Sequence, residues 1–453
     1  MNTLPTTTRN HRALKRTTLL SVLLIAPTLV ASFQSRFTAT ANSTTTESTI
    51  VLDTDSAPLI NGTVQTVSNA SVIETDPHVS GNLATYTFDP ALANSRVHYQ
   101  DLSTGTDNVL PGDEWAFVSG VSGSRIAYTV SPSGRYAVRI FDTNSQTTTA
   151  VPGVNRVGPS IGGNLVAFED WGNGQFDIAT YDLSTGIVTP LTNDSLYDQG
   201  PKVSPNGKAV VWEKCQTSND GCDIYAAIQT APGVFTTRAL TTGGGEDRFP
   251  STNGEVAVYV SDRTGDRDIY YQPLTGGTEV HLSILGTQRH PTISGHLISF
   301  ESGDLTRCDI YIYDIRTGTL SRATNTPHFE MLSEISVSKG VGRIVYVDVN
   351  QEDLSFDIYA VSFQAPRETE DEINDLISLI RSFNLPPGAA NNLITKLQNA
   401  LDAIEVSDTA TACSSLTAFT NVCAAQSGKK LTTDQATQLI NAANQIKSDL
   451  GCQ

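Results

Sequence analysis

Apolar and polar residues alternate in short bursts through most of this chain, and the bursts recur. The stretch from Pro250 to Gly277 shows one unit of the pattern. Glu255 to Val260 alternates and suits a half-buried strand. Ser261-Asp262-Arg263-Thr264-Gly265 is a turn cluster. Asp268-Ile269-Tyr270-Tyr271 opens a second strand, and Leu274 to Gly277 turns the chain again. Asp177-Ile178, Asp223-Ile224-Tyr225, Asp309-Ile310-Tyr311 and Asp357-Ile358-Tyr359 mark the same point in other units. Arg96-Val97-His98-Tyr99 and Ala137-Val138-Arg139-Ile140 are weaker copies. Consecutive copies lie 40–48 residues apart, and a four-stranded propeller blade needs about 40–50. Seven copies predict an all-β seven-bladed propeller, in which each unit relies on its neighbours for burial.

The innermost strand of each blade follows a recurring Pro or Gly. Pro77-His78-Val79-Ser80-Gly81, Pro201-Lys202-Val203-Ser204-Pro205 and Pro291-Thr292-Ile293-Ser294-Gly295 are examples. Pro at a strand's first residue loses no ladder bond. The seventh copy stops at Phe363 without an outermost strand. Asn61 to Asn69 resembles the outermost strand of the sixth copy, Thr317 to Asn325. Thr63 to Ser68 is therefore expected to complete the last blade and hide two open sheet edges. The recurring Asp is expected to accept turn N–H bonds, a structural duty.

After Phe363 the period becomes helical. Gln364 to Glu370 reads as a charged linker. Ile373, Leu376, Ile377 and Ile380 share one face, and Leu393, Ile394, Leu397, Leu401 and Ile404 continue the pattern. Ala410 to Ala425 and Ala436 to Leu450 give two more helices, the last capped by Thr432-Thr433-Asp434. Residues 371–453 thus read as a small all-α four-helix C-terminal domain.

Ser261-Asp262-Arg263-Thr264-Gly265 before Asp268-Ile269-Tyr270, and Ser204-Pro205-Asn206-Gly207-Lys208, resemble the TolB-type propeller repeat over roughly residues 58–363. The resemblance implies a propeller in or outside the bacterial envelope, used for protein contacts. The chain departs from TolB proper in having no α/β domain ahead of the propeller and seven copies in place of six. Leu393 to Leu401, Ala412-Cys413, Ala418-Phe419, Ser427 to Thr432 and Leu450-Gly451-Cys452 resemble the FIMAH-type helical domain of secreted bacterial proteins. That resemblance implies an extracellular appendage and a Cys413–Cys452 pair. Cys423 is extra, and a Cys308–Cys423 bridge between the domains is a further hypothesis.

Arg9, Arg12, Lys15 and Arg16 precede an apolar run from Leu19 to Val30, the pattern of a secretory signal peptide. We place the signal and leader at 1–41 and a flexible Ser/Thr-rich segment at 42–57. No later segment is long and apolar enough to cross a membrane, so none is expected to span one after signal removal. The formal charge is −18, and removing residues 1–41, with five basic and no acidic residues, leaves about −23. Such a surface repels phosphate backbones and argues against nucleic acid. Cys215 and Cys222 bracket a short hairpin loop and should pair in an oxidising compartment, with zinc as the alternative.

Catalytic signals are thin. Gly158-Pro159-Ser160-Ile161-Gly162 matches G-x-S-x-G as a string, but no helix follows to form the elbow that motif needs. No close His pair or H-E-x-x-H appears, although His290 and His296 straddle an innermost strand. We assign no catalytic residue, metal or cofactor. The candidate binding surface is the funnel where the innermost strands begin, with Asp198, Gln199, Asp247, Arg248, Arg289 and His290 at its rim. The expectation is a secreted or periplasmic protein-interaction scaffold with a protein partner, a polar ligand or polysaccharide being the other candidate. A propeller lyase or hydrolase acting on polysaccharide, or a carbohydrate-binding surface protein, is the rival reading.

Overall fold

A computed structural model describes residues 47–452, apart from 71–72, 90–94, 113–114, 132–133, 173, 219, 305, 353, 368 and 406–407. The expected signal peptide lies outside the described residues. Among the described residues, seven groups of antiparallel strands follow one another along the chain, the sixth joined to the seventh and the seventh to the first by single parallel bridges, and each group is called a sheet below. Their first strands are Ile73–Ser80, Ala116–Ser122, Arg156–Gly162, Tyr197–Val203, Asp247–Thr252, Thr287–Ser294 and Phe329–Ser338. In the first six sheets four consecutive strands pair in chain order. The seventh has three consecutive strands, and its last, Ser355–Gln364, pairs with Gly62–Ser68 from the other end of the chain. Thr63 lies opposite Ser362 in that register.

Each first strand packs on the next sheet's first strand, and Ile73–Ser80 also packs on strands of the seventh sheet. The packed layers between sheets are apolar. Val258, Val260 and Ile269 of the fifth sheet meet Ile293, Ile298 and Phe300 of the sixth. Hydroxyls tie the first strands together: the Val203 amide donates to Ser160 Oγ (3.0 Å), that of Ile293 to Ser251 Oγ (3.3 Å) and that of Ile335 to Thr292 Oγ1 (3.2 Å). Gly162 permits one such approach, since a Cβ there would lie 1.9 Å from the Ser204 carbonyl oxygen.

The recurring prolines do not start their strands. Pro77, Pro159, Pro201, Pro250 and Pro291 lie inside them, at a shift of register. The residue before each has positive φ: Asp76, Gly158, Gly200, Phe249 and His290. Each strand therefore carries a bulge, which tolerates a residue with no N–H to give to the ladder.

Residues 42–57, expected to be a flexible lead, are corrected from Glu47 onward. Glu47–Leu52 is a strand, paired in parallel with Glu279–Ile284 as a fifth strand of the fifth sheet. An outermost strand offers a row of unpaired N–H and C=O groups. The β-branched run Thr49-Ile50-Val51 can satisfy it, with Ile50 and Leu52 packed on that sheet's core.

The helices are α1 (Thr369–Ser382), α2 (Pro387–Glu405), α3 (Thr409–Gln426) and α4 (Thr433–Asp449). Ile373, Leu376, Ile377, Ile380, Leu393, Leu397, Leu416, Phe419, Leu439 and Ile446 form their common core. Thr432 caps α4 in a capping box with Gln435, and Asp408 caps α3. Cys413 is bonded to Cys452, tying the start of α3 to the chain end. The bridge closes a 39-residue separation, and replacing both cysteines with serine should cost the helices about 3–4 kcal/mol. A lowered urea midpoint for the helical transition would register that loss. Cys308 and Cys423 are both free and buried, in separate cores, so the hypothesis of a bridge between them is withdrawn.

Candidate functional site

The bulges decide what each rim residue does. Asp198 and Asp247, expected at an exposed rim, are fully buried. Asp198 accepts from Trp212 Nε1 (2.7 Å) and Lys214 Nζ (3.1 Å). Asp247 faces Arg263 Nη2 at 3.1 Å. Asp198 is spent on these bonds inside the fold, while the second carboxylate oxygen of Asp247 is buried without a hydrogen-bond partner among the described residues. The parity of a strand changes at its bulge, and Asp198 and Asp247 turn inward while Gln199 and Arg248, the next residues, stay partly exposed.

The other four rim residues stay partly exposed. Gln199 Nε2 donates to Glu213 Oε2 (3.2 Å). Arg248 pairs with Glu213 (3.3 Å) and Glu246 (3.0 Å). Arg289 lies over the Phe329 ring, 5.8 Å from its centroid. His290 meets Glu301 Oε2 at 3.0 Å through Nδ1, and its ring packs on Phe249 at 4.6 Å. These groups stand on the first strands of the fourth, fifth and sixth sheets, at the end where those strands begin.

Sequence reasoning missed the acids that hold the bulges. Glu169, Glu213 and Glu301 occupy one position on the second strands of the third, fourth and sixth sheets. Each reaches the next sheet and accepts a bulge amide: Gly200 (2.8 Å), Phe249 (2.7 Å) and Ser333 (2.8 Å). Burial pushes the Glu169 carboxyl up to about 7, the Glu213 carboxylate adding to the effect and the Gly200 amide opposing it. The signal was present as a Glu just before the hairpin in three copies.

At the layer one step past the bulge the first strands carry Ser160, Ser251 and Thr292, but also His78, Lys202 and Glu334. His78 is buried between two carboxylates, with Nδ1 2.6 Å from Glu334 Oε2 and Nε2 3.1 Å from Asp76 Oδ1. Burial would lower the imidazole, but Glu334 and Asp76 outweigh it and raise the group to about 9. Burial would likewise raise Glu334, and His78 overrides it to hold that carboxyl below its ordinary range.

Cys215 and Cys222 are bonded across their hairpin. Glu213 with these two cysteines is the one grouping of metal-type ligands among the described residues, and both sulfurs are spent in the bridge. Ser160, the serine of the G-x-S-x-G string, lies in a first strand and its Oγ accepts the Val203 amide. The recurring acids accept from the loop after the outermost strand: Asp177 from Thr192 Oγ1 (3.3 Å), Asp223 from the Gly243 amide (2.7 Å) and Asp309 from the Thr326 amide (3.2 Å). At the opposite ends of the strands a cavity of about 500 Å³ is lined by Arg125, Lys208, Asp182, Asn206 and Gln229. No sequence pattern pointed there.

No family model matches the chain. It is 26% identical over 193 residues to the Tol-Pal system protein TolB of Francisella tularensis subsp. tularensis (strain WY96-3418), a match covering 39% of this chain and 44% of that protein. The chain thus matches less than half the length of its curated relative. The β-propeller domain of the trilobed protease from Pyrococcus furiosus, described as having an open velcro topology, is similar in structure with a TM-score of 0.50. That match has 12% identity and covers 65% of this chain and 98% of the domain. An oligogalacturonate lyase in complex with manganese gives a TM-score of 0.48 at 16% identity, covering 69% of this chain and 98% of the lyase. The repeated four-stranded sheets, the TolB match and the likeness to the protease domain support a TolB-like β-propeller fold, followed among the described residues by four helices. Among the described residues no helix is long and apolar enough to cross a membrane.

Proposed function

We propose that the chain is a secreted or periplasmic protein-interaction scaffold. Residues 58–363 form a seven-bladed propeller closed by Gly62–Ser68, and residues 371–453 are a helical appendage. The mouth around Gln199, Arg248, Arg289 and His290 is the contact surface. The observation that carries this reading is the mouth itself: mixed-charge side chains from three adjacent sheets stand partly exposed at one end of their first strands. Similarity to a Tol-Pal system protein supports a role in protein contacts. Two disulfides suit an oxidising compartment.

The test is capture from envelope and culture-medium fractions with the full chain as bait. Arg289→Glu is expected to reduce recovery of the specific partner at least tenfold. Arg316→Glu, on the exposed turn at the other end of the sixth sheet, is expected to leave recovery unchanged. Equal recovery by wild type and Arg289→Glu would remove the mouth as the contact surface.

A further inference from the structure

We propose that the mouth between the fifth and sixth sheets binds a carboxylate-bearing peptide segment, with Arg267 and Arg289 as its anchors. The inference rests on the scaffold reading above and names the chemistry of the partner. Arg267 ends the turn before the third strand of the fifth sheet, and its carbonyl accepts the Gln288 amide (2.8 Å). Arg289 is the next residue, so the two arginines belong to neighbouring backbone segments. Burial depresses the Arg267 guanidinium, and Arg248 and Arg289 add to the effect, while Asp262 and Glu246 oppose it. Arg248 and Arg289 thus both act on Arg267, in a chain whose formal charge is −18.

The nearby acids are already engaged. Glu213 pairs with Arg248 and accepts the Phe249 amide. Glu246 pairs with Arg248 and accepts the Gly221 amide. Asp262 accepts the Glu246 amide (2.8 Å). Glu301 holds His290 and the Ser333 amide. Asp304 accepts the Thr306 and Arg307 amides. Among the described residues neither Arg267 nor Arg289 has a carboxylate within ion-pair distance. Arg289 has only a long contact to the Gly303 carbonyl (3.5 Å) and the sulfur of Cys308 (3.8 Å).

Most other buried arginines in the sheets are neutralised. Arg156 has Asp170, Arg263 has Asp247 and Glu279, and Arg322 has Asp309. Leaving two guanidinium groups half-buried with no carboxylate in ion-pair contact, Asp262, Glu246 and Asp304 acting only from farther off, is costly unless an anion arrives. A carboxylate suits the planar fork of a guanidinium, which can donate two parallel hydrogen bonds. Phe249, partly exposed and packed on the His290 ring, offers apolar contact for the rest of a peptide. The acidic surface elsewhere repels such a ligand, which confines it to the mouth.

Isothermal titration of the full chain with hexaglutamate tests the proposal. Wild type is expected to bind, and to bind more weakly as salt rises, because exposed ion pairs are screened. R267Q and R289Q are each expected to lose about tenfold or more in affinity, the loss of one charge-assisted contact. R316Q should bind as wild type does. Because Arg289 also covers Phe329, R289K keeps a charged, long side chain there and should fall between wild type and R289Q. No binding by wild type, binding by R267Q and R289Q as tight as that of wild type, or binding of an oligouronate in place of the peptide would each overturn the proposal. Loss of protein capture in Arg289→Glu without hexaglutamate binding would leave the scaffold reading and remove only this chemistry. Hexaglutamate binding with capture unchanged would do the reverse.

Discussion

Arg263→Ala is expected to lower the stability of the sheets by about 3–5 kcal/mol, the cost of removing one partner from a buried ion pair. Arg263 Nη2 meets Asp247 Oδ1 at 3.1 Å, and Nη1 meets Glu279 Oε2 at 2.8 Å. Its Nε donates to Ser261 Oγ at 2.9 Å, and its guanidinium lies 4.4 Å from the Tyr270 ring centroid. Tyr259 OH also donates to Glu279. Asp247 and Glu279 are both buried, so alanine would leave two carboxylates facing each other with no cation between them. Lysine in its place keeps the charge but not the fork, and should recover only part of the loss. Urea unfolding with the disulfides intact reads the difference. A loss below about 1 kcal/mol, the range of an exposed pair, would contradict the buried network.

His78 is expected to make stability fall as pH rises. Its pKa is raised in the folded state from 6.5 to about 9 by Glu334 and Asp76, which outweigh burial. Below 6.5 both folded and unfolded chains hold the proton, and the benefit is whole. Between 6.5 and about 9 the unfolded chain releases a proton that the folded chain keeps, so the benefit shrinks. Above about 9 it is gone. A shift of this size corresponds to about 3–3.5 kcal/mol. Lys202 also acts on Glu334, favouring its charged form. The His78→Gln variant should be less stable than wild type at pH 6 and equal to it by about pH 10. Parallel stability curves for the two proteins would show that the imidazole is not held between carboxylates. Its position makes this clasp important: Asp76 and His78 belong to the first sheet and Glu334 to the seventh.

The repeats were legible because five copies carry the same short Asp-Ile signal and two carry weaker forms of it. Asp-Ile-Tyr begins a third strand, and the acid is kept because it accepts from the loop beyond. Gly62–Ser68 was legible because its residues match another outermost strand. Glu47–Leu52 was not, since an added edge strand needs only β-branched residues and sits among Ser and Thr that read as loop. The rim was half legible. Counting alternate residues back from Pro201 or Pro250 gives the wrong face, because the bulge adds a residue and reverses the alternation. Asp198 and Asp247 are expected at the rim because they precede the recurring Pro, and both are buried. Arg267 escaped notice because it lies in a turn, and only its spatial neighbours give it meaning. The clasp around His78 joins residues 256 positions apart, a distance no local pattern reports.

The central claim is that the early strand Gly62–Ser68 belongs to the last sheet and shuts a seven-membered ring. Hydrogen exchange of the intact chain, followed by mass spectrometry of the peptide spanning 62–68, tests it most directly. The account predicts slow exchange there, matching that of Ser355–Gln364, with both segments losing protection together as denaturant is raised. Exchange of 62–68 at the rate of an unstructured peptide, while 355–364 stays protected, would contradict it.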